Sequence, residues 1–219
     1  MTKHLQADLQ NLERNLLALG ARVEDAVRRA ISALSTQRAD LANEVIEGDS
    51  EIDDAEVALE EECLKVLALH QPVAGDLRFV TACLKITNDL ERIGDLAVNI
   101  SKRALALEGA DVAIAPPDLG KMTDATMAML RATLEAFIAE DGKAARQVIL
   151  DDNLVDEIHR KNLKGLIAHM ESNPSQIAGA MLYISVSRHI ERIADHATNS
   201  AEDVIYLTEG VIVRHQGLA

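Results

Sequence analysis

The sequence predicts an all-α protein made of two tandem three-helix bundles related by a pseudo-two-fold axis. Apolar residues make up 48% of the chain but aromatic residues only 2%, and there are only four prolines, a composition that favours helix over sheet. Apolar residues recur at helical spacing, and the second half of the chain repeats the first. With 219 residues, the chain is long enough to bury a core as one large domain or two small ones.

Three helices are predicted in the first half. The first carries apolar residues in alternating steps of four and three, the seam of a bundle helix: Leu5, Leu9, Leu12, Leu16, Leu19, Val23, Ala26 and Ala30. A second helix begins near 38–41 and ends near Leu69, because Pro72 in HQPVAG (70–75) cannot continue the hydrogen-bond ladder. The third helix occupies about 75–107.

A linker separates the halves, because EGADVAIAPPDLG has two prolines and no helical period. We predict a first bundle at 1–108, a linker at 109–117 and a second bundle at 118–219. Three further helices are predicted, with a break at SNP before the last, at 118–139, 141–171 and 175–208.

The repeat is most visible in DLERIGDLAVN (89–99) and HIERIADHATN (189–199), one hundred residues apart. A second pair of matching segments, VIEGDSEID (45–53) and VILDDNLVD (148–156), is 103 residues apart. The offset changes by three because the turn between the two matching helices differs in length. The repeat therefore predicts two similar bundles.

Each repeat carries two acidic pairs at i and i+4, a spacing that places like charges side by side on a helix. In an antiparallel helix pair, residues equally far from the turn lie at the same height. The turns near residues 72 and 173 therefore bring four carboxylates together in each half. The predicted groups are Asp49, Asp53, Glu91 and Asp95 in the first half, and Asp152, Asp156, Glu191 and Asp195 in the second.

Positive charge is needed where four carboxylates meet, unless the face is fully hydrated. Arg92 and Arg192 follow the glutamates and can supply it as salt bridges. Oxygen-rich clusters also suit hard cations such as Mg, Mn, Ca or iron, whereas structural zinc prefers Cys or His. We expect metal binding, with more than one ion per site. Three amides on the same stripes are secondary candidates: Asn88, Asn99 and Asn199.

Composition narrows the class of protein further. A net charge of −14 argues against nucleic-acid binding and against direct capture of free phosphate without a cation. Cys63 and Cys83 are expected to be core residues in a reducing compartment rather than a disulfide framework. The N-terminus does not resemble a signal peptide and no run is long enough to span a membrane, so we expect a cytoplasmic protein.

An enzyme of the ferritin-like type is the alternative, a carboxylate-bridged di-iron oxidase. Its signature adds Glu-x-x-His on two helices, whereas this chain has one such approach, Asp156-x-x-His159, and Glu56 at the equivalent first-half position. No nucleophile–base set or phosphate-binding glycine loop is present in the sequence. We therefore expect a non-enzymatic protein.

The two acidic repeats resemble the PhoU family of phosphate-transport system accessory proteins. The resemblance rests on QPVAGDLRFVTACLKITNDLERIGDLAVNI and SRHIERIADHATNSAEDVIYLTEG, and on the duplicated helical pattern over nearly the whole chain. It implies that the eight acidic residues bind metal clusters, described in the family as multinuclear iron, with Mg, Mn or Zn as other candidates. It also implies a negative regulator that links a phosphate ABC transporter to a sensor histidine kinase, and a homodimer is expected.

Two departures from the repeat are visible. NPSQIAGAMLY replaces QPVAGDLRFV in the second half, so Asp76 and Arg78 have no twin. Arg188 stands where Asn88 stands in the first half, so the two sites are not expected to be equivalent.

Overall fold

Six long α-helices form the structure, a computed structural model that describes residues 3–108, 115–116 and 118–213. The part of the chain described contains no β-strand. One 3₁₀ turn, Pro174–Gln176, precedes the last helix, and the helices are α1 (Lys3–Thr36), α2 (Ala39–His70), α3 (Ala74–Ala106), α4 (Leu119–Ile138), α5 (Gly142–Ser172) and α6 (Ile177–Glu209).

The helix ends follow local chemistry and lie within two residues of the predicted ends. Gln71 adopts a left-handed conformation, with φ of 46°, and its N–H donates to the carbonyl of Leu67 at 3.2 Å, so α2 ends just before Pro72. Asp141 caps α5, because its carboxylate accepts hydrogen bonds from the backbone N–H groups of Lys143 and Ala144. Most of the predicted linker at 109–117 lies outside the described residues, so that boundary stays a prediction.

Helices α1, α2 and α3 pack on one another, and so do α4, α5 and α6, which confirms the two tandem three-helix bundles. The bundles also pack together, mainly through α3 and α6 and to a small extent through α1 and α4. The buried apolar side chains of both halves form one continuous core. None of the described helices has both the length and the apolar character that a membrane crossing requires.

Helices α3 and α6 run antiparallel at the interface between the bundles, because partner numbers fall along α6 as they rise along α3. The contacts are Arg78 Nε to the Leu207 carbonyl at 2.8 Å, Lys85 Nζ to Asp203 Oδ1 at 2.8 Å, Asp89 Oδ1 to His196 Nδ1 at 2.9 Å, and Arg103 Nε to Ser185 Oγ at 3.1 Å. Their midpoint lies near Ile93 and Ile193, which are equivalent residues of the repeat. The pseudo-two-fold axis therefore passes between these isoleucines.

Cys63 and Cys83 are fully buried, free thiols, as expected for core residues. A hydrogen bond with Cys63 and burial both raise the pKa of the Cys83 thiol. The Cys83 thiol therefore stays protonated, and both residues serve as small core side chains.

Truncation of Ile193 tests the interface between the bundles. Ile193 is completely buried, so Ile193→Ala is expected to lower the free energy of unfolding by about 3 kcal/mol, measured by urea denaturation. Ile167→Ala removes the same atoms from a side chain that is 44% exposed and is expected to cost less than about 1 kcal/mol. Equal losses in the two variants would contradict this account of the interface.

Candidate metal centre

The first carboxylate group lies between α2 and α3, as the register predicts. Burial and the nearby charges of Asp53 and Asp95 raise the pKa of Asp49. Burial, then Asp95 and Asp53, raise the pKa of Glu91. The four carboxylates of this half therefore repel one another across the two helices, with Asp49 opposite Asp95 and Asp53 opposite Glu91.

Gly94 allows the two helices to approach closely beside this group. A Cβ atom at Gly94 would lie 3.2 Å from Ile52 Cγ2 and 3.7 Å from Asp49 Oδ1, so a side chain there would push α2 away. The second half has Ala194 at this position, fully buried. In the first half, Gly94 therefore makes room for the Ile52 side chain beside the carboxylate group.

Arg92 supplies part of the missing positive charge in the first half. Its Nε lies 3.3 Å from Glu91 Oε2 and its Nη1 donates to Asp95 Oδ2 at 3.1 Å. Glu91 Oε2 is nevertheless buried without a hydrogen-bond partner. An arginine that is 54% exposed at its side chain thus leaves a buried carboxylate oxygen incompletely satisfied.

Glu56 is a fifth carboxylate in this half, and the sequence analysis does not predict it as a ligand. Burial, then Glu60 and Asp53, raise its pKa, and its charge in turn raises the pKa of Glu91. The signal was present in the sequence, because Glu56 follows Asp53 by three residues and shares its helix face. Its counterpart His159 places Nδ1 2.9 Å from Ser187 Oγ.

The second carboxylate group lies between α5 and α6, and less positive charge compensates it than in the first half. Burial, then Asp195, Asp156 and Glu191, raise the pKa of Asp152 to about 6. Burial and neighbouring carboxylates likewise raise the pKa of Glu191 and of Asp195. Within the described residues, no ion pair reaches any of these four side chains, and Arg192 does not repeat the contacts of Arg92.

The three candidate amides do not all lie with the carboxylates. Asn88 and Asn199 line the same cleft between the bundles, about 650 Å³ in volume, with Glu56 and Asp89. Asn99 is half-buried on α3. Asp89 accepts a hydrogen bond from Ser200 and lies 2.9 Å from His196 Nδ1 across the interface, so its carboxylate is occupied away from the proposed ligands.

The donor set fits hard cations, because all eight primary candidates are carboxylates. Five of them have raised pKa values, a shift that a bound cation would reverse. As the side chains stand in the described segments, no three His, Cys, Asp or Glu groups are arranged to hold one ion. The charges therefore converge at one level without forming a complete coordination sphere, and metal binding stays a prediction.

The fold and the two acidic groups define a class of duplicated helical-bundle proteins, with a carboxylate cluster between the last two helices of each bundle. A family model described as PhoU domain matches the chain twice, at residues 16–104 and 119–204, one match in each bundle. The chain belongs to the PhoU family.

Proteins of known name and structure agree with this assignment. The phosphate-specific transport system accessory protein PhoU homolog of Aquifex aeolicus is 39% identical over 95% of both chains. The crystal structure of PhoU from Pseudomonas aeruginosa has a TM-score of 0.89 at 36% identity and covers 94% of this chain and 99% of that one. The phosphate transport system regulatory protein PhoU from Streptococcus pneumoniae has a TM-score of 0.90 at 30% identity, covering 95% and 99%.

Neutralising Asp152 is expected to stabilise the metal-free protein at neutral pH. The folded state keeps the Asp152 proton up to about pH 6, whereas an unfolded Asp releases it near about pH 4, so this group makes stability fall as pH rises through that window. Asp152→Asn should therefore raise the Tm in EDTA at pH 7.5 by about 2 °C, allowing for solvent screening, and have no effect at pH 4.

Thermal melts over this pH range measure the effect. Asp124→Asn on the exposed side of α4 removes the same charge away from the groups and should show no such pH dependence. A Tm for Asp152→Asn below that of the wild type at pH 7.5 without metal would contradict the prediction.

Proposed function

We propose that the chain is an accessory protein of phosphate transport that acts as a negative regulator of phosphate uptake and of phosphate-responsive signalling. The observation that supports this function most directly is the full-length match to PhoU proteins, in sequence and in fold, including both repeats. The relatives are named as accessory or regulatory proteins of the phosphate transport system.

In this proposal both carboxylate groups bind metal ions and the protein is not an enzyme. The ligands are the eight acidic side chains named above, with multinuclear iron as the first expectation and Mg, Mn or Zn as other candidates. The support is the convergence of unbalanced charge in both halves, together with the buried, unsatisfied oxygen of Glu91. Bound cations would neutralise this charge and join α2 to α3, and α5 to α6.

The proposed role is that of an adaptor in the cytoplasm, at the inner face of the membrane. Its proposed partners are a phosphate ABC transporter and a sensor histidine kinase, which would hold it at the membrane, and a second copy of the chain in a homodimer. The transporter is supported by the names of the relatives. The kinase and the homodimer are expected from the family resemblance.

Metal content of the wild-type protein and of two variants tests the sites. Protein purified without a metal-affinity step is expected to hold more than one ion per chain, measured by mass spectrometry of the elements. Asp49→Asn/Asp95→Asn and Asp152→Asn/Asp195→Asn should each lose the ions of one half, because an amide is a far weaker ligand than a carboxylate. Asp124→Asn is the control and should keep the wild-type content.

Melting temperatures of the same variants distinguish loss of metal from loss of folding. Without metal the Asn variants should melt at or above the wild-type temperature, and with metal they should melt below it, since binding stabilises only the protein that keeps its ligands. Unchanged metal content in both double variants would refute the site assignment while leaving family membership intact.

A phosphate-uptake assay tests the regulatory function. Loss of this chain from its host is expected to raise phosphate uptake at high external phosphate, measured with radioactive phosphate. The wild-type gene should restore the low rate, and the gene for Asp124→Asn should do the same. Uptake that does not change on deletion would contradict the proposed regulator.

Oxygen consumption separates the adaptor from the di-iron oxidase alternative. Protein loaded with Fe(II) is expected to consume no more oxygen than the same amount of Fe(II) in buffer. Catalytic consumption that disappears in Asp152→Asn/Asp195→Asn would favour the oxidase and contradict the non-enzymatic proposal.

A further inference from the structure

The two ends of the α3–α6 interface carry opposite charge, although the repeat makes them equivalent in fold. At the first-half end, the polar groups satisfy one another: Lys85 Nζ donates to Asp203 at 2.8 Å, and Asp89 accepts from Ser200 at 3.1 Å and lies 2.9 Å from His196. At this end every cation named has an anionic partner.

At the second-half end the repeat replaces these groups with neutral or positive ones. Ser185 stands for Lys85, and His189 stands for Asp89. This end also carries three arginines. Arg103 and Arg188 replace the first-half counterparts Asp203 and Asn88, whereas Arg192 matches Arg92. We call this group, formed by Ser185, His189 and these three residues, the arginine cluster.

The members of the arginine cluster are in contact or close by. Arg103 Nε donates to Ser185 Oγ at 3.1 Å, and Ser185 Oγ lies 3.3 Å from His189 Nε2. His189 Nδ1 is buried without a hydrogen-bond partner. Arg188 and Arg192 follow Ser185 by three and seven residues, so all three lie on the same face of α6.

The charge of the cluster is not balanced by ion pairs. In the segments that the structure describes, none of its arginines is in a salt bridge, whereas Arg92, the counterpart of Arg192, binds Glu91 and Asp95. All three guanidinium groups are exposed to solvent. On a chain with net charge −14, such a group of cations is a local exception.

We propose that the arginine cluster binds a phosphate-class oxyanion, either free phosphate or the phosphoryl group of a monoester. Guanidinium groups present donors in a fixed fork that matches the oxygens of phosphate, and three converging arginines provide charge as well as geometry. The Ser185 hydroxyl adds a further donor at the same place. Because the positive charge of the arginine cluster is local, the proposed site would take up phosphate without a metal ion, in spite of the net charge of −14.

Titration of the metal-free, full-length protein with inorganic phosphate tests the proposal. Isothermal calorimetry in EDTA, at pH 7.5 and low chloride, is expected to show saturable binding. Arg188→Asn, which installs the residue of the first-half counterpart, should weaken the affinity at least tenfold. Arg14→Asn removes an equally exposed arginine from α1 and should leave it unchanged.

Phenyl phosphate and sodium chloride complete the experiment. Binding of phenyl phosphate as well as phosphate assigns the site to phosphoryl groups on larger molecules, and binding of phosphate alone assigns it to the free ion. Three results overturn the proposal: no saturation below about 10 mM phosphate, an Arg188→Asn affinity equal to that of the wild type, or chloride binding as tight as phosphate binding. Since EDTA is present throughout, failure here leaves the metal proposal untouched, and failure of the metal proposal leaves this one untouched.

Discussion

Repulsion between carboxylates at one height is the constraint on which the rest of the structure depends. Antiparallel packing places Asp49 opposite Asp95 and Asp152 opposite Asp195, and partial burial prevents water from screening these charges fully. The fold tolerates this because the charges sit at the rim of a large apolar core. Charge repulsion thus lowers the stability of the fold at two places, and such a cost is typical of residues kept for function rather than for structure.

The two halves meet this constraint differently. In the first half, Arg92 bridges Glu91 and Asp95, and Gly94 makes room for the Ile52 side chain of α2. The second half has neither device, and there the pKa of Asp152 rises to about 6. A duplicated fold has therefore kept the acidic groups but not their compensation, so the two sites are expected to differ in affinity for the same ion.

Much of the fold was predictable because local signals fix it. Pro72 ends α2 and the SNP segment ends α5, and once these turns are placed the register of the acidic pairs follows. The contacts between the bundles were not predictable, because Lys85 with Asp203 and Asp89 with His196 join residues more than one hundred positions apart. The arginine cluster was only partly predictable. Its four α6 members lie at helical spacing in the sequence, but Arg103 joins them only through the packing of α3 on α6.

The continuous core across α3 and α6 has a consequence for any attempt to divide the protein into its halves. A half cut at the linker would present the buried face of α3 or of α6 to water, a long apolar stripe that invites association. In the intact chain each half covers the apolar face of the other. The two halves can therefore differ in the charge of their surface residues while they share one interior.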